Sequence, residues 1–424
     1  MMHGDSELRM KLIDQMERFT RDIFIEKIIN EQFDQPELIN FLDGAIFISS
    51  LRGSLPQFDW DSITSKYVSK YFPKKLDIQN YGSSFIGATS LLVSLKLLYK
   101  EKYYCIKAYE SIKQQIFYSL DIDIPLLYRL ANERKIISNN YDLILGISSL
   151  LNYLLEDDLG KIRNEEYISK IIDFLLYLTT FEKNIPKKMV LNNVYGVEIE
   201  SNDDEYISIG ISHGLLGIYY VFSKYLKVGS YEKYTSLVKQ RLIELENFIF
   251  KIENNSFLLP EEEYYPNSNN HNPLKNQLNF SWCYGTSGYM STILDNSYQE
   301  WSLFYGMESC IRKKMDTILS CLIEDKDNII YYSTTFCHGL SGKIYELFLF
   351  DNLKYEKEIE YLLKKILASK VDDMIAFYDV EDKDNKRGYE TGFHVLDGSL
   401  GTWIVINSIL NLKRFNGDFI FGKL

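Results

Sequence analysis

Two stretches, S-W-C-Y-G-T-S-G at 281–288 and T-F-C-H-G-L-S-G at 335–342, repeat one pattern 54 residues apart, a cysteine two places before a glycine-x-x-glycine step. The step, intact or degraded, is found seven times, at Gly44, Ser84 to Gly87, Gly146, Gly214, Gly285, Gly339 and Gly398, each time leading into an apolar run such as G-L-L-G-I-Y-Y-V-F-S-K-Y-L. Successive steps lie 40, 62, 68, 71, 54 and 59 residues apart, room for one returning helix and its loops. Between them, segments such as Y-T-S-L-V-K-Q-R-L-I-E-L-E-N-F-I-F-K-I space their apolar residues as a helix does and read as outer helices. Helices that cannot bury an apolar face alone close most economically as a double ring. The expected fold is therefore all-α, an (α/α) toroid of seven inner and seven outer helices forming a single domain over 1–424.

Small residues three apart share a helical face, so the opening turns are expected to keep a shared centre open. Two intervals are longer than one helix requires. The text at 187–205 mixes β-branched, turn and acidic residues, and that at 254–280 carries Pro260, Pro266 and clustered asparagines. Both are expected to be excursions, irregular or β-containing, near the mouth of the ring.

The composition, 46% hydrophobic with 25% charged residues, supports a sizeable core and excludes a disordered chain. A net charge of −12 argues against a nucleic-acid partner, because no basic surplus is available for phosphates. No stretch has the length and apolarity of a membrane span, and the mixed-charge N-terminal text has no secretory h-region. A cytoplasmic location is expected. Five cysteines in a chain of 424 residues do not make a disulfide framework.

If the seven steps are equivalent, the residues before them share one end of the ring. The place directly before the first small residue holds Asp43, Ser83, Leu145, His213, Tyr284, His338 and Asp397, with Cys283 and Cys337 one place earlier. Cys283, Cys337 and His338 make a Cys2His set, which suits zinc with a fourth position open for a substrate. The alternative is a pair of ordinary buried thiols. His213 reads as a general acid or base, or else as a core histidine. Asp142, four places before Gly146, reads either as a cap or as the group that orients His213. Asp43 and Asp397 read as caps, and His394, with no partner in register, as structural or solvated.

The set S-H-G-L-L-G, S-W-C-Y-G-T-S-G and F-C-H-G-L-S-G resembles the lanthionine synthetase C family, the cyclases of class I lanthipeptide biosynthesis, over about 44–401. The resemblance implies an (α/α) barrel of seven inner helices with zinc at its mouth. It implies addition of cysteine thiols to dehydroalanine or dehydrobutyrine in a dehydrated, leader-bearing precursor peptide, giving lanthionine or methyllanthionine. By position, the family's zinc ligands fall on Cys283, Cys337 and His338, its acid/base histidine on His213 and its supporting aspartate on Asp142. The tyrosine that follows the first zinc cysteine falls on Tyr284. Partners implied are a dehydratase and a peptide exporter, which would bring the chain to the inner membrane face. Two positions depart from the pattern: Asn279 stands where the family usually has arginine, and Ser287 where it has proline. Two alternatives stay open, a peptide-binding scaffold without turnover and a prenyltransferase-like toroid enzyme that also alkylates a thiol. The second would need a basic diphosphate site, which the motif text lacks.

Overall fold

The computed structural model describes residues 6–30, 39–75, 80–99, 105–157, 161–190, 206–229, 232–249, 282–283, 287–314, 316, 334–337, 339–368 and 393–422, with short strands at 193–194, 197–198, 252–253, 256–257 and 263–264. Two compact units divide the chain, one of Met1–Leu76, Ser90–Ile106 and Leu322–Asp418, the other of Asp77–Thr89, Lys107–Cys321 and Phe419–Leu424.

In the first unit, the helices Leu340–Asp351, Ser399–Asn411 and Phe41–Leu51 pack one on the next. These are the runs that follow the steps at Gly339, Gly398 and Gly44. They are apolar nearly all round, as a helix must be when neighbours cover every face, and Ser399–Asn411 is buried from Ser399 to Leu410. Outside them lie Glu356–Ala368 and Trp60–Tyr71, each packed on its inner partner. Glu356–Ala368 buries only Ile359, Leu362, Leu363 and Ile366, a single helical stripe. One element lies before the first step: Ser6–Arg18 runs on as a π-helix to Asn30. Its Phe19 and Phe24 pack against Phe47, and Phe19 also against Trp403.

The second unit repeats the plan. The inner helices Ile147–Glu156, Leu215–Val228 and Ser287–Asn296 pack in order, with Lys161–Leu178 on the first and Thr235–Ile249 on the second. Glu246 of the outer helix is buried and accepts hydrogen bonds from Tyr219 Oη (2.8 Å), Ser302 Oγ (2.9 Å) and the Leu303 N–H (2.8 Å). A buried acid satisfied by three donors ties the inner helix to its outer partner. Burial still pushes its carboxyl above the usual range.

Strand content is slight. A 3-10 turn, Lys187–Met189, precedes a hairpin that pairs Asn193 with Glu198, and Ile207–Ser208 pairs with Glu263–Tyr264 inside the second long interval. The rest of the text at 254–280 lies outside the described residues, apart from a strand at Ser256–Phe257 paired with Ile252–Glu253. Among the described residues no helix is long and apolar enough to cross a membrane.

The glycines have a local role in their turns. Gly146, Gly214, Gly339 and Gly398 cap their helices in extended conformation. The second glycine of three steps then lies against the carbonyl oxygen six residues back: Gly217 on Ile211, Gly342 on Phe336, Gly401 on Val395. A Cβ at any of these would overlap that oxygen. The turn is thus folded back onto the first coil of its own helix, and this aims the residues before the step. Step one differs, since Asn40 caps the helix and Asp43–Gly44 lies inside its first turn.

Candidate active site

In the second unit three successive turns are joined by backbone bonds. The Leu143 N–H donates to the Ser212 carbonyl (3.1 Å), and the Ser212 N–H donates to the Cys283 carbonyl (3.2 Å). Ser212 Oγ donates to that same carbonyl (3.1 Å). Asp142, His213 and Cys283, which the sequence places just before steps three, four and five, lie on turns that are thereby joined side by side.

Asp142 is fully buried. Its Oδ1 accepts the N–H groups of Ile144 (3.0 Å), Leu145 (2.5 Å) and Gly146 (2.8 Å), closing the turn into the helix Ile147–Glu156. Its Oδ2 lies 2.7 Å from His213 Nδ1. A carboxylate is an acceptor, so the shared proton belongs to Nδ1, and Nε2 is the nitrogen that exchanges protons with anything else. The imidazole is 30% exposed while its partner is not exposed at all. One carboxylate oxygen thus holds the turn before the helix, whose cap is Gly146, and the other meets His213. Its buried neighbour Tyr141 has its phenol pushed up, by burial first and then by the Asp142 charge.

Cys283 and Cys337 are both buried and outside any disulfide. Cys337 lies in the first unit, where its N–H donates to the Leu396 carbonyl (2.7 Å). Neither thiol sits in a helix interior; each lies in a turn that precedes a glycine step in the sequence. Tyr284, His338 and Asn279 lie outside the described residues. Among the described residues no group of three or more His, Cys, Asp or Glu side chains is placed to hold a metal. Two buried thiols at matching turns are nonetheless the donor chemistry that zinc favours.

Two features went unread in the sequence. One is Ser212, whose carbonyl, N–H and hydroxyl link the turns on either side. The other is a second histidine–aspartate pair, His394 Nδ1 to Asp43 Oδ2 at 2.8 Å, in the first unit. His394 has a partner after all. Asp43 is not the cap itself but the third helical residue of a capping box, its N–H donating to Asn40 Oδ1 (3.0 Å) and its Oδ2 accepting from the Asn40 N–H (3.2 Å). The slots carried the signal: Asp142 and His394 both stand four places before a step, His213 and Asp43 directly before one.

The family description "Lanthionine synthetase C-like protein" matches residues 44–421. The nisin biosynthesis protein NisC of Lactococcus lactis subsp. lactis is 24% identical over 375 residues, covering 81% of each chain. The solved structure of nisin cyclase superposes with a TM-score of 0.67 at 20% identity, over 98% of this chain and 97% of that one. The fold is that all-α toroid, as the glycine steps led us to expect. With the family match spanning every step, the chain belongs to the lanthionine synthetase C-like family and is by that membership a lanthionine cyclase.

Proposed function

We propose that this protein closes thioether rings in a dehydrated precursor peptide by adding cysteine thiols to dehydroalanine or dehydrobutyrine, with Cys283, Cys337 and His338 holding zinc. The observation that carries the reading is the Asp142–His213 pair at 2.7 Å, on a turn bonded directly to Cys283. Addition of a thiol to a dehydroamino acid makes a C–S bond at Cβ and an enolate that needs a proton at Cα. His213 is suited to supply it. Asp142 fixes the Nδ1–H tautomer and stabilises the imidazolium, so Nε2 can carry and release the proton. The buried carboxylate cannot turn away, because three backbone N–H groups hold its other oxygen. Bound by two thiolates and an imidazole, zinc would supply a Lewis acid that favours the thiolate form of a substrate cysteine. Tyr284, next to Cys283 in the chain, is assigned to the same site.

The substrate class, a leader-bearing dehydrated peptide, and work beside a dehydratase and a peptide exporter in the cytoplasm at the inner membrane face, belong to this proposal. NisC, by its name, serves nisin biosynthesis, and this chain would serve a precursor of its own.

The test begins with metal content of the purified protein and of Cys283→Ala, then free-thiol counts on a dehydrated peptide. One zinc per chain that vanishes in the variant, with thiols lost at constant peptide mass, is expected. A folded wild-type protein that binds the peptide, holds no zinc and leaves its thiols intact would overturn the reading in favour of a scaffold. His213→Ala is expected to keep zinc and lose cyclisation by about 10²-fold or more.

A further inference from the structure

The Asp43–His394 pair reproduces the Asp142–His213 pair slot for slot with the two residue types exchanged. In the second unit the aspartate stands four places before step three and the histidine directly before step four. In the first unit the histidine stands four places before step seven and the aspartate directly before step one, whose helix packs on that of step seven. Each pair joins Nδ1 to Oδ2, at 2.7 and 2.8 Å. Each buries its carboxylate and leaves its imidazole about equally exposed, 30% for His213 and 32% for His394. Each ties the other carboxylate oxygen to backbone, here the Val395 N–H at 3.0 Å. Each lies one backbone bond from a cysteine turn, His213 through Ser212 to Cys283 and His394 through Leu396 to Cys337.

We infer that His394, oriented by Asp43, is a second acid–base residue, the acceptor of the proton that the substrate thiol gives up in becoming the nucleophile. The inference rests on the proposed cyclase reading. Ring closure requires two proton movements of opposite sense, one off sulfur and one onto Cα, and a second oriented imidazole lets separate groups make them. Here the S–H proton passes to Nε2 of His394 as the thiol becomes the thiolate, whose electron pair then forms the bond to Cβ. The Cα proton is the separate delivery assigned to His213. Once His394 returns its proton to solvent and His213 takes one up, no proton is gained or lost overall.

Location supports the sulfur side. His394 is two residues from Leu396, a span of at most about 7 Å of chain, and Leu396 is bonded to Cys337. A purely structural pair would need no ring a third exposed, because the Val395 N–H already anchors the turn to Asp43.

The experiment uses the full chain and a peptide carrying one dehydroalanine and one cysteine, with zinc content, peptide affinity and kcat measured together. His394→Gln can keep an amide bond to Asp43 while losing the proton acceptor. It is expected to retain zinc and peptide binding and lose kcat by about 10²-fold. His394→Ala is expected to fall similarly and to recover in part when imidazole is added, which a structural role would not allow. Unchanged kcat in His394→Gln, or a loss that tracks zinc loss and resists imidazole, overturns the inference while leaving the cyclase reading in place. A wild-type protein that binds the peptide and does not cyclise it overturns both.

Discussion

Four N–H groups among the described residues converge on the Asp142 carboxylate, three from backbone and one from His213. Replacing the acid by its amide turns an NH2 group toward either the three backbone donors or the imidazole Nδ1–H. In one orientation the turn opens, and in the other the histidine loses its tautomer control. Asp142→Asn is therefore expected to cost about 1–3 kcal/mol of stability, from unpaired buried donors, and to slow cyclisation about as much as His213→Ala. Urea unfolding and thiol counts check the two effects, and a double variant that is no slower than either single one would mark them as one unit. A variant of wild-type stability and rate would remove Asp142 from the site. These residues were legible in the sequence because they stand at fixed offsets from glycines. Ser212 was not, since its role is carried by loop-to-loop backbone bonds that leave no trace in residue type.

At the level of elements, the glycine step acts as a hinge stop. Gly217 lies so close to the Ile211 carbonyl that an added Cβ would come within 2.6 Å of that oxygen and 3.2 Å of the Leu143 Cβ. Ile211 and Leu143 flank Ser212 and Asp142, so any relief must move the turn that aims His213. Gly217→Ala is expected to destabilise by about 1–3 kcal/mol through overpacking and to lower cyclisation further than its stability loss explains. Thermal unfolding beside activity well below Tm checks this, and wild-type activity at a lowered Tm would show that the glycine serves packing alone. The inner helices were readable because each is announced by such a step and then runs apolar on all sides. The helix Ser6–Arg18 and its π continuation carry no step, so the ring pattern could not place them, and Asp43–Gly44, read as a step, sits inside its helix. The pairing of Ile207–Ser208 with Glu263–Tyr264 joins residues more than fifty apart through two-residue strands, too short for any alternation to show.

At the scale of the whole molecule, stability against pH carries the imprint of one misplaced charge in an acidic chain. Lys343 lies one place after Gly342, inside the buried helix Leu340–Asp351, and burial pushes its ammonium down to about 8 from the ordinary 10.5. The folded chain therefore releases this proton near pH 8, whereas the unfolded chain holds it until about 10.5. Between those values the unfolded state binds more protons, so this group's contribution to stability rises with pH across the window. Below it the full penalty stands, about 3 kcal/mol for a shift of that size. Lys343→Met keeps the length and apolar stem without the charge, and it is expected to stabilise the protein at pH 7 by an amount of that order. The difference between variant and wild type should shrink as pH rises and all but close by about 10.5, where the folded lysine is neutral and the unfolded one is half so. Urea unfolding of the two proteins at pH 7, 9 and 10.5 reads this directly. An equal gain at all three values would assign it to packing, and a loss at pH 7 would show that the ammonium is held by a partner worth more than its desolvation costs.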